Sequence, residues 1–345
     1  MVMKAVEITE LLGDGIGPEL RASVHAVAAR LPLDVQFQPV DLSLEVRRAR
    51  GRELYDEADT SMRATRLALK YPTVTETESP NAVLRRRLDF SVIHRPVVSI
   101  EGIQSNFREE VFLHVVRVAT GGTYEDPGRR IGRDAAVSLR IVERTPCEQA
   151  ARFAFELARK KQLSVTSSSK HTIQRVTDGF FEDVVRGVAA GYGDVEHRVE
   201  LFDALLAKII LKPSDFGIVL CLNEYGDFLS DMACGLVGSL GIGASGSYSF
   251  DPEGQIEVAM FDPAGGTAPD IAGRDRCNPA AVLLAFGMLL DHIGRYDLGH
   301  ALRLSLLECI ANRVSTADVG GTLGTRAFTE AVIDGLVDRL PASQK

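Results

Sequence analysis

The sequence predicts an α/β fold, because short apolar runs alternate along the chain with longer segments of helical periodicity. The clearest strands are predicted at 92–93, 112–116, 163–166 and 216–222, and the clearest helices at 147–161 and about 279–293. With 345 residues the chain is long for one hydrophobic core, so one large or two interlocked domains are expected. It contains no internal repeat, low-complexity tract or obvious linker, which suggests that one domain is inserted into the other.

Composition and charge argue against several classes of function. Hydrophobic residues make up 45% of the chain and charged residues 25%, and no apolar run approaches the roughly 18 residues needed to span a bilayer. Residues 1–8 alternate charged and apolar side chains like an opening strand and have no apolar signal core, so neither membrane insertion nor export is expected. The net charge of −8 argues against nucleic acid as the main partner.

The cysteines indicate the compartment. Five cysteines are scattered along the chain and none forms a C-x-x-C pair, so they are expected to be buried free thiols. Free thiols persist where the surroundings are reducing, and a cytoplasmic location is therefore expected.

Residues 12–19 form a glycine-rich segment between a predicted strand and a predicted helix. The third glycine comes one residue too early for the dinucleotide pattern G-x-G-x-x-G, and the segment is not a phosphate-binding Walker loop. Taken alone, such a segment is more often a tight turn than a site.

The segment 79–85 has the features of a helix start that can hold an anion. Ser79 suits the N-cap and Pro80 the first helical position. Asn81 and Arg85 are four residues apart and share a helix face, so the helix start can bind a carboxylate. The alternative is a capped surface helix whose three arginines, 85–87, are only solvated.

Two further arginines are predicted to end strands. His94-Arg95 closes one predicted strand and Val116-Arg117 another, and strand ends in α/β folds point into clefts. With Arg85, they would give three planar groups for carboxylate oxygens. Each arginine by itself is more often a surface ion-pair partner, and only the three together indicate a site.

Lys170 follows the strand predicted at 163–166. A lysine in this position can act as a base if burial and neighbouring cations lower its pKa. Without such surroundings it is an ordinary loop lysine.

Asp227 and Asp231 are the sharpest local feature. They lie four residues apart, on one face of a helix that directly follows a predicted strand. Two carboxylates forced together repel, and a hard divalent cation such as Mg²⁺ removes that repulsion. The alternative is a solvated acidic helix start, which the helix dipole also favours.

Residues 267–273 and Asn278-Pro279 form a segment rich in turn residues that leads into a helix. The carboxylate of Asp270 can bond a ribose diol and repel a 2′-phosphate. Considered without the rest of the chain, the segment is an ordinary loop.

Taken in order, these segments resemble the β-decarboxylating dehydrogenases, which act on isocitrate, homoisocitrate, isopropylmalate or tartrate. The resemblance extends from residue 13 to residue 322, and its most specific parts are 226–231 and 268–273. It implies a two-domain α/β fold with mixed sheets flanked by helices. The large domain would comprise 1–95 and 248–345, and the small domain 96–247.

The resemblance also implies that two copies of the chain assemble into a dimer. A dimer clasp is expected at about 124–142, and the protein would be a homodimer whose active sites are shared between subunits. Isocitrate dehydrogenase is the nearest member in motifs.

The resemblance assigns roles to individual residues. Lys170 and Tyr124 match the catalytic residues, with Lys170 acting in the partner's site. Asp227 and Asp231 match metal ligands from one subunit, and Asp203 matches the ligand supplied by the partner. The residues that match substrate-binding positions are Ser79, Asn81, Arg85, Arg95 and Arg117. The residues that match the dinucleotide pocket are Gly265, Gly266, Thr267, Asp270, Ile271, Asn278 and Asp318.

The implied reaction oxidises a 2-hydroxy acid with NAD and releases its β-carboxylate as CO₂, with Mg²⁺ or Mn²⁺ polarising the substrate. Asp270 and Ile271 stand where NADP-dependent members have lysine and tyrosine, which favours NAD. Ser79 and Asn81 match the polar positions that isocitrate dehydrogenases use for a third carboxylate, which favours a substrate with a polar third arm.

Several positions depart from the family pattern. Val118 and Ala119 replace a glutamate and an asparagine, and Gly265 replaces a histidine. Ser169 stands where an acidic residue or histidine usually precedes the lysine, and Thr172 replaces an asparagine two residues after it. In addition, Asp262 replaces a glutamate, and the loop at 70–79 is shortened and lacks its usual glycines. Because the metal aspartates and the lysine are kept, these changes predict an active enzyme with a diverted substrate or cofactor geometry. The alternatives are a non-catalytic regulatory subunit of a hetero-oligomeric isocitrate dehydrogenase, or a dehydrogenase of the isopropylmalate, homoisocitrate or tartrate type.

Overall fold

A computed structural model describes residues 5–238 and 242–340. The strands are β1 Val6–Leu12, β2 Val35–Asp41, β3 Leu67–Lys70, β4 Val92–Val98, β5 Phe112–Val118, β6 Arg129–Ile131, β7 Ala135–Val137, β8 Val165–Ser169, β9 His197–Leu201, β10 Ile218–Cys221, β11 Ala244–Phe250 and β12 Ile256–Pro263. The helices are α1 Gly17–Ala28, α2 Leu44–Arg50, α3 Arg52–Thr65, α4 Pro80–Arg87, α5 Arg144–Lys161, α6 Thr177–Ala189, α7 Phe202–Leu211, α8 Asn223–Val237, α9 Ala280–His292, α10 Tyr296–Ala311 and α11 Thr325–Arg339.

Ten strands form one mixed sheet in the order β2-β1-β3-β12-β11-β4-β5-β10-β8-β9. The first four strands are parallel to one another, and so are the last four. Between these blocks β11 and β4 pair antiparallel with each other and with their outer neighbours, so the two blocks run in opposite directions. The predicted α/β class is confirmed.

The helices cover the sheet because their apolar faces need a partner. In α5, which includes the helix predicted at 147–161, the buried residues are Cys147, Ala150, Ala151, Ala154, Phe155 and Ala158. The helix predicted at 279–293 is α9, which packs on β11, β12 and α10. A second, smaller apolar cluster lies under α3, where Leu54, Ala58 and Met62 are fully buried.

Two predictions of strand ends are wrong. Arg95 does not end a strand, since β4 continues to Val98 along its antiparallel partner β5. Ser167 to Ser169 are not loop residues but the buried second half of β8, held between β9 and β10. Hydrogen bonding to neighbouring strands, which no local pattern records, extends both elements. The predicted opening strand is β1, and residues 1–4 of that prediction lie outside the described residues.

The glycine-rich segment before α1 is a tight turn, as predicted. Its carboxylate, Asp14, accepts the backbone N–H groups of Leu44 and Val74, both at 2.8 Å. Gly15 has a φ of +60°, and a β-carbon there would lie 1.9 Å from the carbonyl oxygen of Thr267. The turn therefore locks three loops together, and only a residue without a side chain fits its closest approach.

Strands β6 and β7 form a separate antiparallel pair at the place predicted for the clasp. Apolar side chains are exposed in this region, with Ile131 58% and Leu139 53% accessible. The predicted domain boundaries, 95/96 and 247/248, fall inside β4 and β11. These two strands pair with each other, with His94 opposite Gly246. The division into two domains remains a prediction.

Candidate active site

Helix α8 brings its two aspartates against the predicted arginines. Arg117 is 2% exposed, donates to the Asp227 carboxylate and is steadied by Asn223, whose Oδ1 accepts from its Nε at 2.8 Å. Arg95 donates to Asp231 Oδ1 at 2.6 Å. The prediction that Asp227 and Asp231 lie on one face of a helix is therefore confirmed. Arginines of two strands, β4 and β5, lie against that face.

The three arginines form one electropositive group. Burial, followed by the charge of Arg85, lowers the pKa of Arg117 to about 9, and Asp227 only partly opposes the effect. Burial also lowers the pKa of Arg85, and Arg95 adds to that shift. Among the described residues, Nε of Arg85, Nε of Arg95 and Oδ1 of Asn81 are buried without hydrogen-bond partners. Buried donors without partners are costly, so the cluster fits an anionic ligand that supplies acceptors.

Helix α4 begins at Pro80, as predicted, with Ser79 in the N-cap position. The N-cap position of Ser79 is therefore confirmed, and its side chain makes no capping hydrogen bond. A hydroxyl that does not cap its own helix is left available for another partner.

Tyr124 lies at the edge of the same group. Its hydroxyl donates to Asp227 Oδ2 at 3.1 Å, and the Arg117 guanidinium lies 5.8 Å from the centre of its ring. Burial raises the pKa of Tyr124, and the negative charge of Asp227 acts in the same direction. The hydroxyl therefore keeps its proton and stands beside the acidic pair, where it can donate it.

Lys170 and Asp203 form an ion pair with each other. Lys170 Nζ donates to Asp203 Oδ1 at 2.6 Å, and this hydrogen bond lowers the pKa of Asp203. The neighbour of Lys170 is therefore a carboxylate. The role of a base suggested from the sequence called instead for neighbouring cations that lower the lysine pKa. No hydrogen bond or ion pair among residues 5–238 and 242–340 joins this pair to Asp227 or Asp231.

The turn that carries Lys170 is firmly anchored. Its backbone N–H donates to Asp178 Oδ2 at 2.8 Å, and Asp178 is fully buried. Arg140 bridges Asp178 and Glu224, which lies in the first turn of α8. Ser169, one of the unusual positions, donates to the buried Glu182 at 2.5 Å. Sequence reasoning missed this polar core, because its members are distant along the chain.

Lys70 is a buried cation that the sequence analysis did not single out. It ends β3, is 2% exposed, and donates to the carbonyl of Tyr71 at 2.9 Å and to Thr73 Oγ1 at 3.1 Å. Burial lowers its pKa to about 8, while Asp262 opposes that shift and Arg85 reinforces it. The signal in the sequence that could have indicated its burial is a lysine at the end of a short apolar strand.

A cavity of about 320 Å³ lies at the end of β12 beside the start of α9. Five of the seven predicted dinucleotide residues line it, namely Gly265, Gly266, Ile271, Asn278 and Asp318. A β-carbon at Gly265 or Gly266 would meet nothing within 4 Å, so the glycine backbone borders open space. Asn278 Nδ2 donates to Asp318 Oδ2 at 2.9 Å, which fixes the polar wall.

Two predicted pocket residues do not line this cavity. The Thr267 carbonyl accepts the N–H of Ile16 at 2.9 Å, which ties the loop to the glycine-rich turn. Asp270 is exposed beside the cavity. An apolar cavity with a few convergent polar groups and exposed backbone fits a nucleotide.

Asp227 and Asp231 are the two candidate metal ligands of α8. No group of three or more His, Cys, Asp or Glu side chains that could hold a metal ion occurs in the described part of the chain. The carboxylate oxygens of Asp227 and Asp231 are hard donors that suit Mg²⁺ or Mn²⁺, and two carboxylates plus substrate oxygens are a usual ligand set. The residues present therefore fit a metal that needs a further ligand.

Comparison with known proteins gives one consistent result. A family model described as isocitrate/isopropylmalate dehydrogenase matches residues 7–334. The chain is similar to mitochondrial NAD isocitrate dehydrogenase subunit 2 of Kluyveromyces lactis, with 34% identity over 94% of this chain and 89% of the relative. The human mitochondrial NAD isocitrate dehydrogenase subunit alpha is 33% identical over the same shares.

Solved structures agree with the sequence relatives. An isocitrate dehydrogenase from Methylococcus capsulatus has a TM-score of 0.87 and 31% identity, covering 96% of this chain and 99% of that one. The TT0538 protein from Thermus thermophilus has a TM-score of 0.89 and 28% identity, covering 97% of this chain and 69% of that one.

Within the described residues, no helix has the length and apolar character required to cross a membrane.

Proposed function

The chain belongs to the isocitrate/isopropylmalate dehydrogenase family, and from that premise we propose that it oxidatively decarboxylates isocitrate or a close analogue with NAD and a divalent metal. The observation that carries the proposal is the convergence of Arg85, Arg95 and Arg117 on Asp227 and Asp231. Cations and acids side by side suit a substrate with several carboxylates that also binds a metal.

The arginines bind and orient the substrate. The buried Nε atoms of Arg85 and Arg95 lack partners in the described residues and can donate to carboxylate oxygens. Asn81 Oδ1, also without a partner, can accept from the substrate hydroxyl or another donor. Ser79 and Asn81 stand together at the start of α4, so a polar third arm of the substrate would lie there.

Asp227, Asp231 and Asp203 of a second subunit would hold Mg²⁺ or Mn²⁺, which supplies Lewis-acid polarisation of the substrate oxygens. Lys170, also from the second subunit, moves the proton of the substrate hydroxyl through its Nζ. The Tyr124 hydroxyl supplies the proton that replaces the lost carboxyl group, and its raised pKa keeps that proton available.

The cavity beside α9 would hold NAD, which accepts the hydride. Gly265 and Gly266 allow close approach of the ligand to the backbone, and Asn278 and Asp318 provide polar contacts. Asp270 beside the cavity supports NAD over NADP, because its carboxylate would repel a 2′-phosphate.

We infer a homodimer with two shared sites, because no hydrogen bond or ion pair among the described residues joins Lys170 or Asp203 to the aspartates of α8. The exposed apolar side chains of the β6-β7 hairpin are suited to the predicted clasp. Several relatives are named as subunits, so assembly with a different subunit is the outcome to compare. The two-domain division and a cytoplasmic location are part of the proposal. Five free thiols favour a reducing compartment, and the two relatives named above are mitochondrial.

The test is turnover by the purified chain alone. The chain is incubated with Mn²⁺, NAD⁺ and isocitrate, homoisocitrate, isopropylmalate, tartrate or malate, and NADH is followed by its absorbance. We expect turnover, fastest with a substrate that has a polar third arm. Absence of turnover with every substrate would contradict the proposal and favour the non-catalytic regulatory subunit.

A further inference from the structure

A buried arginine joins the turn that carries Lys170 to the first turn of helix α8. Arg140 Nε donates to Asp178 Oδ1 at 3.0 Å, and its Nη1 donates to a carboxylate oxygen of Glu224. The side chains of Arg140, Asp178 and Glu224 are 13%, 0% and 6% exposed, and together they form the Arg140 bridge. At this depth a carboxylate that loses its partner leaves an uncompensated charge, so the three groups hold one another in place.

One end of the bridge holds the lysine turn. Asp178 uses Oδ1 for Arg140, and its Oδ2 accepts the backbone N–H of Lys170 at 2.8 Å. The same Oδ2 also accepts the Tyr225 hydroxyl at 3.1 Å. Both carboxylate oxygens are therefore engaged, and the orientation of Asp178 is fixed from two sides. The backbone of Lys170 is thus placed independently of its side chain, whose Nζ donates to Asp203.

The other end of the bridge holds the start of α8. Glu224 lies in the first turn of that helix, three residues before Asp227. Gly122 lies against its carboxylate, since a β-carbon at Gly122 would be 1.9 Å from Glu224 Oε2. The neighbouring Asn223 donates to the carbonyl of Gly121 at 3.0 Å. The helix is therefore anchored one turn before its two candidate metal ligands.

Arg140 itself is placed by the base of the predicted clasp. Ile141, the next residue, accepts the N–H of Gly122 at 2.6 Å and donates to its carbonyl at 3.0 Å. The Arg140 guanidinium lies 4.9 Å from the centre of the Tyr225 ring. A planar guanidinium presents separate donors to two carboxylates, whereas the ammonium group of a lysine is a single point charge.

Stability alone does not account for this bridge. Arg140 Nη2 and Glu224 Oε2 are buried without hydrogen-bond partners among residues 5–238 and 242–340. Unmatched buried polar atoms are costly, and an apolar replacement of a buried ion pair is often as stable or more so. What the bridge provides is a fixed distance between two elements.

We propose that Arg140 is a positioning residue, which fixes the Lys170 turn and the aspartates of α8 relative to each other by bridging Asp178 and Glu224. The inference rests on the proposed function, in which Lys170 serves the partner's site and α8 serves its own. Each bridge then lies between the two active sites of the dimer and sets part of the geometry of both. Arg140 acts through Asp178 and Glu224, not through a contact with the substrate.

The conservative variant R140K tests the bridge. It keeps the buried positive charge, but one ammonium group does not reproduce the two-ended donation to both carboxylates. R152K makes the same exchange at an exposed arginine of α5 and is the matched control. E224Q keeps the shape of the α8 end and removes only its charge, so it remains informative if R140K does not fold.

Two measurements follow the two ends of the bridge without turnover. Hydrogen exchange at residues 168–172, read by mass spectrometry, should become at least about tenfold faster in R140K, because Asp178 loses its anchor. Mn²⁺ binding, read by electron paramagnetic resonance, should weaken about tenfold, because the start of α8 is released. In E224Q the exchange at 168–172 should stay as in the wild type. Exchange at residues 282–290 of α9 should stay unchanged in every variant, which separates local positioning from a general loss of structure.

Mixed dimers separate the two ends during turnover. In a mixture of D227N/R140K with K170M, the one intact site takes Lys170 from the chain with the altered bridge. We expect kcat to fall at least about tenfold there, relative to D227N with K170M, and the KM for isocitrate to change little. In D227N with K170M/R140K, the intact site takes α8 from the altered chain, and the loss should appear as a higher requirement for Mn²⁺.

Unchanged exchange and unchanged Mn²⁺ binding in R140K overturn the proposal, and so do equal changes in R152K. A change at only one end shows that Arg140 does not bridge the two and also overturns it. Faster exchange together with weaker Mn²⁺ binding, in a chain that turns over none of the substrates, supports the bridge and contradicts only the proposed function.

Discussion

The guanidinium of Arg117 donates to the carboxylate of Asp227, which joins a predicted substrate residue to a predicted metal ligand. Arg117 is buried and Asp227 is partly exposed, so the carboxylate faces the cleft with one side already balanced. A divalent cation and a substrate carboxylate arriving together would replace this ion pair without leaving either charge unpaired. Metal and substrate binding are therefore expected to be interdependent.

Substitution D227N should lower kcat/KM at least about a hundredfold and weaken Mn²⁺ binding, because one charged ligand is lost. Electron paramagnetic resonance of free Mn²⁺ measures the binding, and the absorbance of NADH measures the rate. E330Q, which neutralises an exposed acid on α11, is the matched control and should change neither quantity. Unchanged activity in D227N would show that the metal assignment is wrong.

The shared site can be tested by mixing two inactive variants, K170M and D227N. If Lys170 acts in the partner's site, each mixed dimer contains one intact site and one doubly altered site. Random mixing of co-refolded chains should then restore about a quarter of wild-type activity. If each chain carries its whole site, the mixture stays as inactive as either variant by itself.

The third-arm prediction concerns Asn81, whose buried Oδ1 has no partner among the described residues. N81L should lower kcat/KM for isocitrate about 10- to 100-fold, since a hydrogen-bonding group is replaced by an apolar one. Turnover of isopropylmalate should fall less or rise, because its end group is apolar. Equal losses with the two substrates would remove Asn81 from the specificity site.

The cofactor preference is expected to depend on charge at residue 270. The double variant D270K/I271Y exchanges a repulsive carboxylate for an attractive ammonium group. We expect the ratio of kcat/KM for NADP⁺ to that for NAD⁺ to rise at least about tenfold. Initial rates with each cofactor at saturating isocitrate measure the ratio; no change in it would place the ribose elsewhere.

Lys70 should make stability depend on pH in the alkaline range. Burial lowers its pKa in the folded chain to about 8 from an ordinary value of 10.5, so between these values the unfolded chain binds more protons. Stability therefore rises with pH through this window, and below pH 8 the buried charge costs its full penalty of a few kcal/mol. K70M removes the titrating group and keeps the stem.

Urea unfolding at pH 7.5, 9 and 10 measures the effect. The difference in free energy of unfolding between wild type and K70M should move in favour of the wild type as pH rises. Taking the difference cancels the tyrosine and cysteine groups that titrate in the same range. Parallel curves for the two proteins would show that Lys70 is not desolvated in solution.

The sequence by itself determined the features that are local. The periodicity of α5 and α9, the i, i+4 spacing of Asp227 and Asp231, and the tight turn at 13–17 follow from residues that are neighbours along the chain. Helical geometry and glycine's conformational freedom act over a few residues, so they can be read directly.

Only the tertiary structure decided how distant residues meet. The extension of β4 past Arg95 and of β8 through Ser169 depends on hydrogen bonds to neighbouring strands. The burial of Lys70, and the pairing of Lys170 with Asp203 instead of a cation, depend on packing and charge contacts between separate elements. Desolvation and charge pairing act through space, where sequence spacing gives no measure of distance. For that reason the partners of the predicted site residues could not be read from the sequence.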